Sequence, residues 1–98
     1  MDNNILNKRL RLFSTLRDAV GLKEVTIPFE NSQTVRDMLH TIGGINPVLR
    51  QEILGEDGEL TGLVHILVDG RNIMWLQGLD TVVEQSAEVV LLPPSAGG

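Results

Sequence analysis

The 98-residue chain contains no cysteine. Disulfides, thiolate metal ligands and cysteine nucleophiles are therefore excluded, and any sulfur chemistry must sit somewhere other than a side-chain thiol. Aromatic residues are only 3% of the chain, so its core is expected to be poor in aromatics. No apolar run approaches the ~20 residues of a membrane span. The opening Met1-Asp2-Asn3-Asn4 has no cationic segment leading into the apolar stretch of a signal peptide, so a cytoplasmic protein is expected. Positive charge is also scarce: eight Lys and Arg face thirteen Asp and Glu, for a formal charge of -5. Such a field repels phosphate backbones and anionic lipid heads, which argues against nucleic acid and membrane as partners and favours a basic protein.

Side-chain chemistry is sparse as well. His40 and His65 are the only histidines, and without cysteine they form no recognisable metal-ligand spacing, so no metal is expected. No serine stands in a G-x-S-x-G setting and no glycine pattern fits a phosphate-cradling loop. Glu56 and Asp57 read as a solvated pair in a loop. Nothing here marks an enzyme.

What remains is ordinary globular composition, 42% hydrophobic and 21% charged, in a length that suits one domain over residues 1–98. Residues 8–14 alternate basic and apolar, predicting a first strand with one buried face. A short helical turn over 16–21 leads to a second strand at 24–29, where Val25, Ile27 and Phe29 alternate. Pro28 places that strand at an edge or points its missing amide outward. Thr34 opens the clearest helix, because its hydroxyl can accept from the Asp37 amide and Val35, Met38, Leu39 and Ile42 recur at helical spacing. Gly43-Gly44 is expected to end it. Asn46-Pro47 starts a second, short helix that spaces Leu49 and Ile53 four apart and stops at Gly55; residues 56–62 form a loop. Leu63 to Val68 reads as a strand, Asp69-Gly70 as a tight hairpin turn, Arg71 to Leu76 as the return strand, and Glu88 to Leu92 as the last strand. A helix between strand pairs implies an α+β fold: one sheet of about five strands with the main helix packed on one face.

Two places stand out. Ile73-Met74-Trp75-Leu76 breaks the alternation, so an extended run would turn about half of it away from the core, making Met74 and Trp75 candidate partner-binding residues. The other is "PPSAGG". Pro93-Pro94 favours an extended, semi-rigid conformation that projects residues 93–98 from the strand, with a reach of about 20 Å. Ser95, Ala96, Gly97 and Gly98 have so little cross-section that they can thread a narrow channel. The Gly98 carboxylate, ionised at neutral pH, has no Cβ beside it and can attack an activating ATP.

The stretches "RLFSTLRDAVG", "TVRDML", "LVDGRNI" followed by "GLDT", and "VVLLPPSAGG" resemble the MoaD/ThiS-like sulfur carriers, ubiquitin-like proteins of the β-grasp fold. The MoaD branch is the nearer likeness, because thiamine-pathway carriers are generally shorter and lack much of the region from Pro47 to Gly62. The resemblance implies a non-catalytic carrier that binds no cofactor itself. Gly98 would be adenylated, at the expense of ATP, by an activating enzyme of the ubiquitin-activating type and converted to a thiocarboxylate. Residues 93–97 would enter the large subunit of molybdopterin synthase, with sulfur delivered to a pterin precursor of a molybdenum or tungsten cofactor. Archaeal relatives with this ending are also joined to lysines of target proteins, which makes a protein modifier the second reading. A plain interaction module with an inert tail is the third. The chain departs from the family at "EQSAE", where an acidic-Gly-Asp turn is usual.

Overall fold

The computed structural model describes residues 6–30 and 32–93. Among these, the strands are β1 (Leu6–Leu12), β2 (Glu24–Phe29), β3 (Ser32–Thr34), β4 (His65–Val68), β5 (Arg71–Asn72), β6 (Val82–Glu84) and β7 (Val89–Leu92). The helices are α1 (Ser14–Val20), α2 (Val35–Ile45) and α3 (Pro47–Ile53), with single 3-10 turns at Ile73–Trp75 and Gly78–Asp80. Five strands form one sheet in the order β2-β1-β7-β4-β5. It is mixed because β7 runs parallel to β1 and antiparallel to β4. Pro28 is accommodated as its missing amide requires, since β2 is an edge strand.

Alternation along the strands sorts the residues into two faces. Leu10 and Leu12 of β1, Val25, Ile27 and Phe29 of β2, Ile66 and Val68 of β4, and Val89 and Leu91 of β7 are buried in one cluster. The same cluster takes in Val35, Met38, Leu39 and Ile42 of α2 and Leu49 and Ile53 of α3. Each fully buried side chain of this kind contributes about 1.5–3 kcal/mol, so two apolar surfaces that cannot stand alone become one core. This is the helix-on-one-face arrangement that the sequence predicts.

α2 starts as its sequence requires. The Asp37 amide donates to the Thr34 hydroxyl at 3.1 Å, and the Thr34 amide donates back to the Asp37 carboxylate at 3.2 Å. Its end differs from expectation: the helix runs through Gly43 and Gly44 to Ile45. A Cβ on Gly43 would stand 2.7 Å from the Arg50 Cδ of α3, so this glycine leaves room for that side chain. Asn46 makes the stop, and its side-chain oxygen caps α3 by accepting from the Leu49 amide at 3.1 Å. α3 in turn ends at Ile53 with Leu54 as its cap, before Gly55.

Other boundaries move for local reasons. β1 ends at Leu12 because the chain turns at Ser14, whose φ of 53° lies outside extended backbone. β4 begins at His65, leaving Leu63 exposed. The return strand after the hairpin is two residues long before it coils into the 3-10 turn at Ile73. Asp69 and Gly70 do form the expected turn, with φ values of 52° and 83° that match the type I′ geometry of a two-residue hairpin. β3 and β6, an antiparallel ribbon three residues long, have no counterpart in the sequence reading.

Lys8 departs most from the expected pattern. It shares the parity of Leu10 and Leu12, faces the core, and is 5% exposed. Its ammonium donates to the main-chain carbonyls of Gln85 at 2.8 Å and Ala87 at 2.7 Å and lies 4.6 Å over the Phe29 ring. Burial pushes its pKa below the usual 10.5, and the negative charge of Asp69 opposes that shift. Two of these contacts define testable costs. Thr34→Ala should destabilise the chain by about 1 kcal/mol, the usual loss of an N-cap, read as a lower denaturation midpoint at unchanged slope. Lys8→Met keeps the aliphatic stem but strands two carbonyls, and should cost about 1–3 kcal/mol in the same measurement.

Candidate functional site

The C-terminal residues follow β7, the central strand of the sheet, which has a partner along both edges. Leu10, Arg11 and Leu12 of β1 stand opposite Val89, Val90 and Leu91, while Leu92, Leu91, Val90 and Val89 face His65, Ile66, Leu67 and Val68 of β4. The entry to the strand is fixed from two sides. Asp69 in the hairpin turn donates its amide to the Glu88 carbonyl at 2.9 Å and accepts from the Glu88 amide through its carboxylate at 2.9 Å. Lys8 holds the "EQSAE" turn from beneath, and that turn closes with the Ala87 amide donating to the Glu84 carbonyl at 3.0 Å. The exit is fixed by the Phe13 amide, which donates to the Leu91 carbonyl at 3.1 Å. Whatever follows Leu92 therefore starts from an anchored point.

Pro93 is half-buried directly beyond that exit. The other tail candidates, Pro94, Ser95, Ala96, Gly97 and Gly98, lie outside the described residues.

Met74 and Trp75 lie elsewhere than in the expected extended run. They occupy a 3-10 turn capped by Asn72, whose side-chain oxygen accepts from the Met74 amide at 2.9 Å. That coil turns Ile73 into the core and leaves Met74 68% and Trp75 84% exposed, so Trp75 is not a lid on the core. Met74 lines a small hollow of about 50 Å³ with Leu60, Val64, His65, Ile66 and Ile73. His65 is also the register partner of Leu92, which places this hollow at the end of the sheet where β7 finishes.

The sheet face opposite the core adds residues that were not singled out from the sequence. Leu67, Val90 and Leu92 form a half-exposed apolar strip across β4 and β7. Beside it, Arg11 pairs with Glu88 at 3.6 Å and Arg9 with Glu24 at 3.8 Å. The adjacent pair Leu91-Leu92 was the available signal, because two consecutive leucines in a strand must face opposite sides. His40 is exposed on α2, and Glu56 and Asp57 are exposed in the loop after α3. Among the described residues, no group of three or more His, Asp or Glu could hold a metal ion, and no helix is long and apolar enough to cross a membrane.

Comparison with known proteins agrees with this geometry. The family model described as "ThiS family" matches residues 10–98. Small archaeal modifier protein 3 of Haloferax volcanii is 34% identical over 89 residues, 91% of this chain and 96% of that protein. A putative sulfur carrier protein of Archaeoglobus fulgidus is 37% identical over 65 residues, 66% of this chain and 74% of that protein. The crystal structure of SAMP1 from Haloferax volcanii superposes with a TM-score of 0.76 at 28% identity, covering 94% of this chain and 99% of that one. With its five-stranded mixed sheet and helical face, the chain has the ubiquitin-like β-grasp fold and belongs to the ThiS family.

Proposed function

We propose that this chain is a carrier whose reactive group is the main-chain carboxylate of Gly98, activated by adenylation and then converted to a thiocarboxylate that donates sulfur. The observation that carries the reading is the run Pro93-Pro94-Ser95-Ala96-Gly97-Gly98 set directly after the anchored central strand. A rigid start and a slender end suit insertion into a partner's active site. The partner, an adenylating enzyme of the ubiquitin-activating type, supplies the catalytic groups and uses ATP. A Gly98 carboxylate oxygen attacks the α-phosphorus of ATP, pyrophosphate leaves, and a sulfur donor then displaces AMP from the acyl carbon. The absence of cysteine suits such a role, since the sulfur rides on the chain terminus. The recipient placed first, the pterin precursor held by the large subunit of molybdopterin synthase, rests on the MoaD-like motifs.

A second reading has its own support: the relative named a modifier is 34% identical along nearly the whole chain. In that case the activated glycine is transferred to a lysine of another protein. Both readings share the adenylate, and they diverge in the product. Intact mass measurement after incubation with ATP, a cognate adenylating enzyme and a sulfur donor should show the chain heavier by the difference between sulfur and oxygen. Removal of Gly97 and Gly98 should abolish that change while leaving stability within about 0.5 kcal/mol. Failure of the intact chain to form any adenylate or thiocarboxylate would sink the reading. For the modifier reading, Arg71 is the last trypsin site, so target lysines should carry residues 72–98 as a branch.

The exposed 3-10 turn supplies a separate test. Trp75→Ala should leave the melting temperature almost unchanged yet weaken binding to the adenylating enzyme or sulfur recipient by tenfold or more, about 1.4 kcal/mol. Unchanged affinity for both partners would remove Trp75 from the interface.

A further inference from the structure

Four large apolar side chains flank the hollow beside Met74. Gly62, Val64 and Met74 line it; Leu63 lies between the first two in sequence, and Trp75 and Leu76 follow the third. Leu63, Met74 and Trp75 are each more than half exposed, and Leu76 is exposed as well. Single apolar residues on a surface need no explanation, but a group of them around a concavity marks a contact surface.

The hollow limits what can enter it. Buried Val64, Ile66 and Ile73 and the more open Leu60 and Met74 make it chiefly apolar. Its volume of about 50 Å³ is far below the ~300–1,000 Å³ of a small-molecule pocket and suits the end of one aliphatic side chain.

Charge narrows the choice further. The loop that leads into Leu60 carries Glu56, Asp57 and Glu59, all exposed and, among the described residues, in no ion pair. The loop is ordered by its own hydrogen bonds. The Gly55 amide donates to the Glu59 carbonyl at 2.9 Å, the Glu59 amide donates to the Asp57 carboxylate at 3.0 Å, and the Thr61 amide donates to the Ile53 carbonyl at 2.9 Å. These acids thus belong to a fixed rim and not to a free arm. Arg71, beside Asn72, sets one exposed guanidinium against the three carboxylates. A second copy of the chain is a poor occupant, because a symmetric contact on this patch would bring two acidic loops and two chains of charge -5 together.

We propose that this patch docks a basic segment of another protein, which seats one aliphatic side chain in the hollow and sets Lys or Arg against Glu56, Asp57 and Glu59. Met74 walls the anchor and Trp75 covers the apolar part of the segment. The inference rests on this surface and not on the chemistry of Gly98, so failure of the thiocarboxylate experiment leaves it standing.

Trp75 is the only tryptophan, so its fluorescence reports on the patch. The full-length chain is titrated at low salt with the peptide acetyl-Lys-Lys-Ala-Leu-Ala-Lys-Lys-amide. A saturable blue shift with one peptide per chain is expected. Serine in place of the peptide's leucine should weaken binding by about tenfold or more, the loss of one buried aliphatic group. Met74→Ser, at an exposed site that leaves Trp75 in place, should do the same with an unchanged melting temperature. Glu56→Gln with Glu59→Gln, or added salt, should weaken binding by roughly threefold or more. The proposal is overturned by the absence of a saturable shift, by equal binding of a peptide with glutamate in place of lysine, or by full binding in Met74→Ser. A blue shift that grows with chain concentration in the absence of peptide would also overturn it, by assigning the patch to a second copy.

Discussion

The placement of β7 between β1 and β4 is the constraint from which the rest follows. A strand with neighbours on both sides has its main-chain donors and acceptors satisfied by the sheet and its core-facing side chains, Val89 and Leu91, packed under the helices. Nothing in that strand is free to shift register, since a slip of one residue would send both side chains to the open face. Lys8 and Asp69 then fix where the strand begins. One holds the carbonyls of the preceding turn, and the other exchanges two hydrogen bonds with Glu88. Under the proposed function the reactive end must start from a known point, and the backbone pairing of β7 would set that point before any partner is present.

The molecule divides its tasks by face. Helices and aliphatic side chains occupy one side of the sheet and account for folding. The opposite side is a mixture of half-exposed Leu67, Val90 and Leu92 with paired Arg and Glu residues. At the end where β7 finishes, His65 links this face to the hollow beside Met74. The surface charges are exposed pairs that contribute little to stability.

Much of this was legible in the residues. α2 could be read from the spacing of Val35, Met38, Leu39 and Ile42 and from the Thr34 and Asp37 cap, because both signals are local. The Asp69-Gly70 turn was legible for the same reason. The edge position of β2 followed from one proline. What could not be read depends on contacts between segments far apart in the chain. β3 and β6 are polar or short and exist because they meet each other. Gly43-Gly44 looks like a helix end, but the helix continues to Ile45 and Asn46 makes the stop. Lys8 has the inward parity of Leu10 and Leu12, but only the Gln85 and Ala87 carbonyls explain how an ammonium is tolerated there. Trp75 was singled out on the premise of an extended strand; it is exposed, but in a 3-10 turn. The tail candidates from Pro94 to Gly98 rest on composition and order alone and lie outside the described residues.

The pairing of β1 with β7 has a kinetic corollary. The Lys8 bond to Ala87 spans 79 residues, and the strand contacts beside it span a similar length of chain. Closing so long a loop is entropically expensive and yields contacts late, after the local helices and hairpins have formed. The strand that leads into the C-terminal residues is thus among the last to be seated. Under the proposed function, an activating enzyme that bound the sheet and the C-terminal residues together would thereby proofread foldedness, since an immature chain would offer it the peptide without the platform.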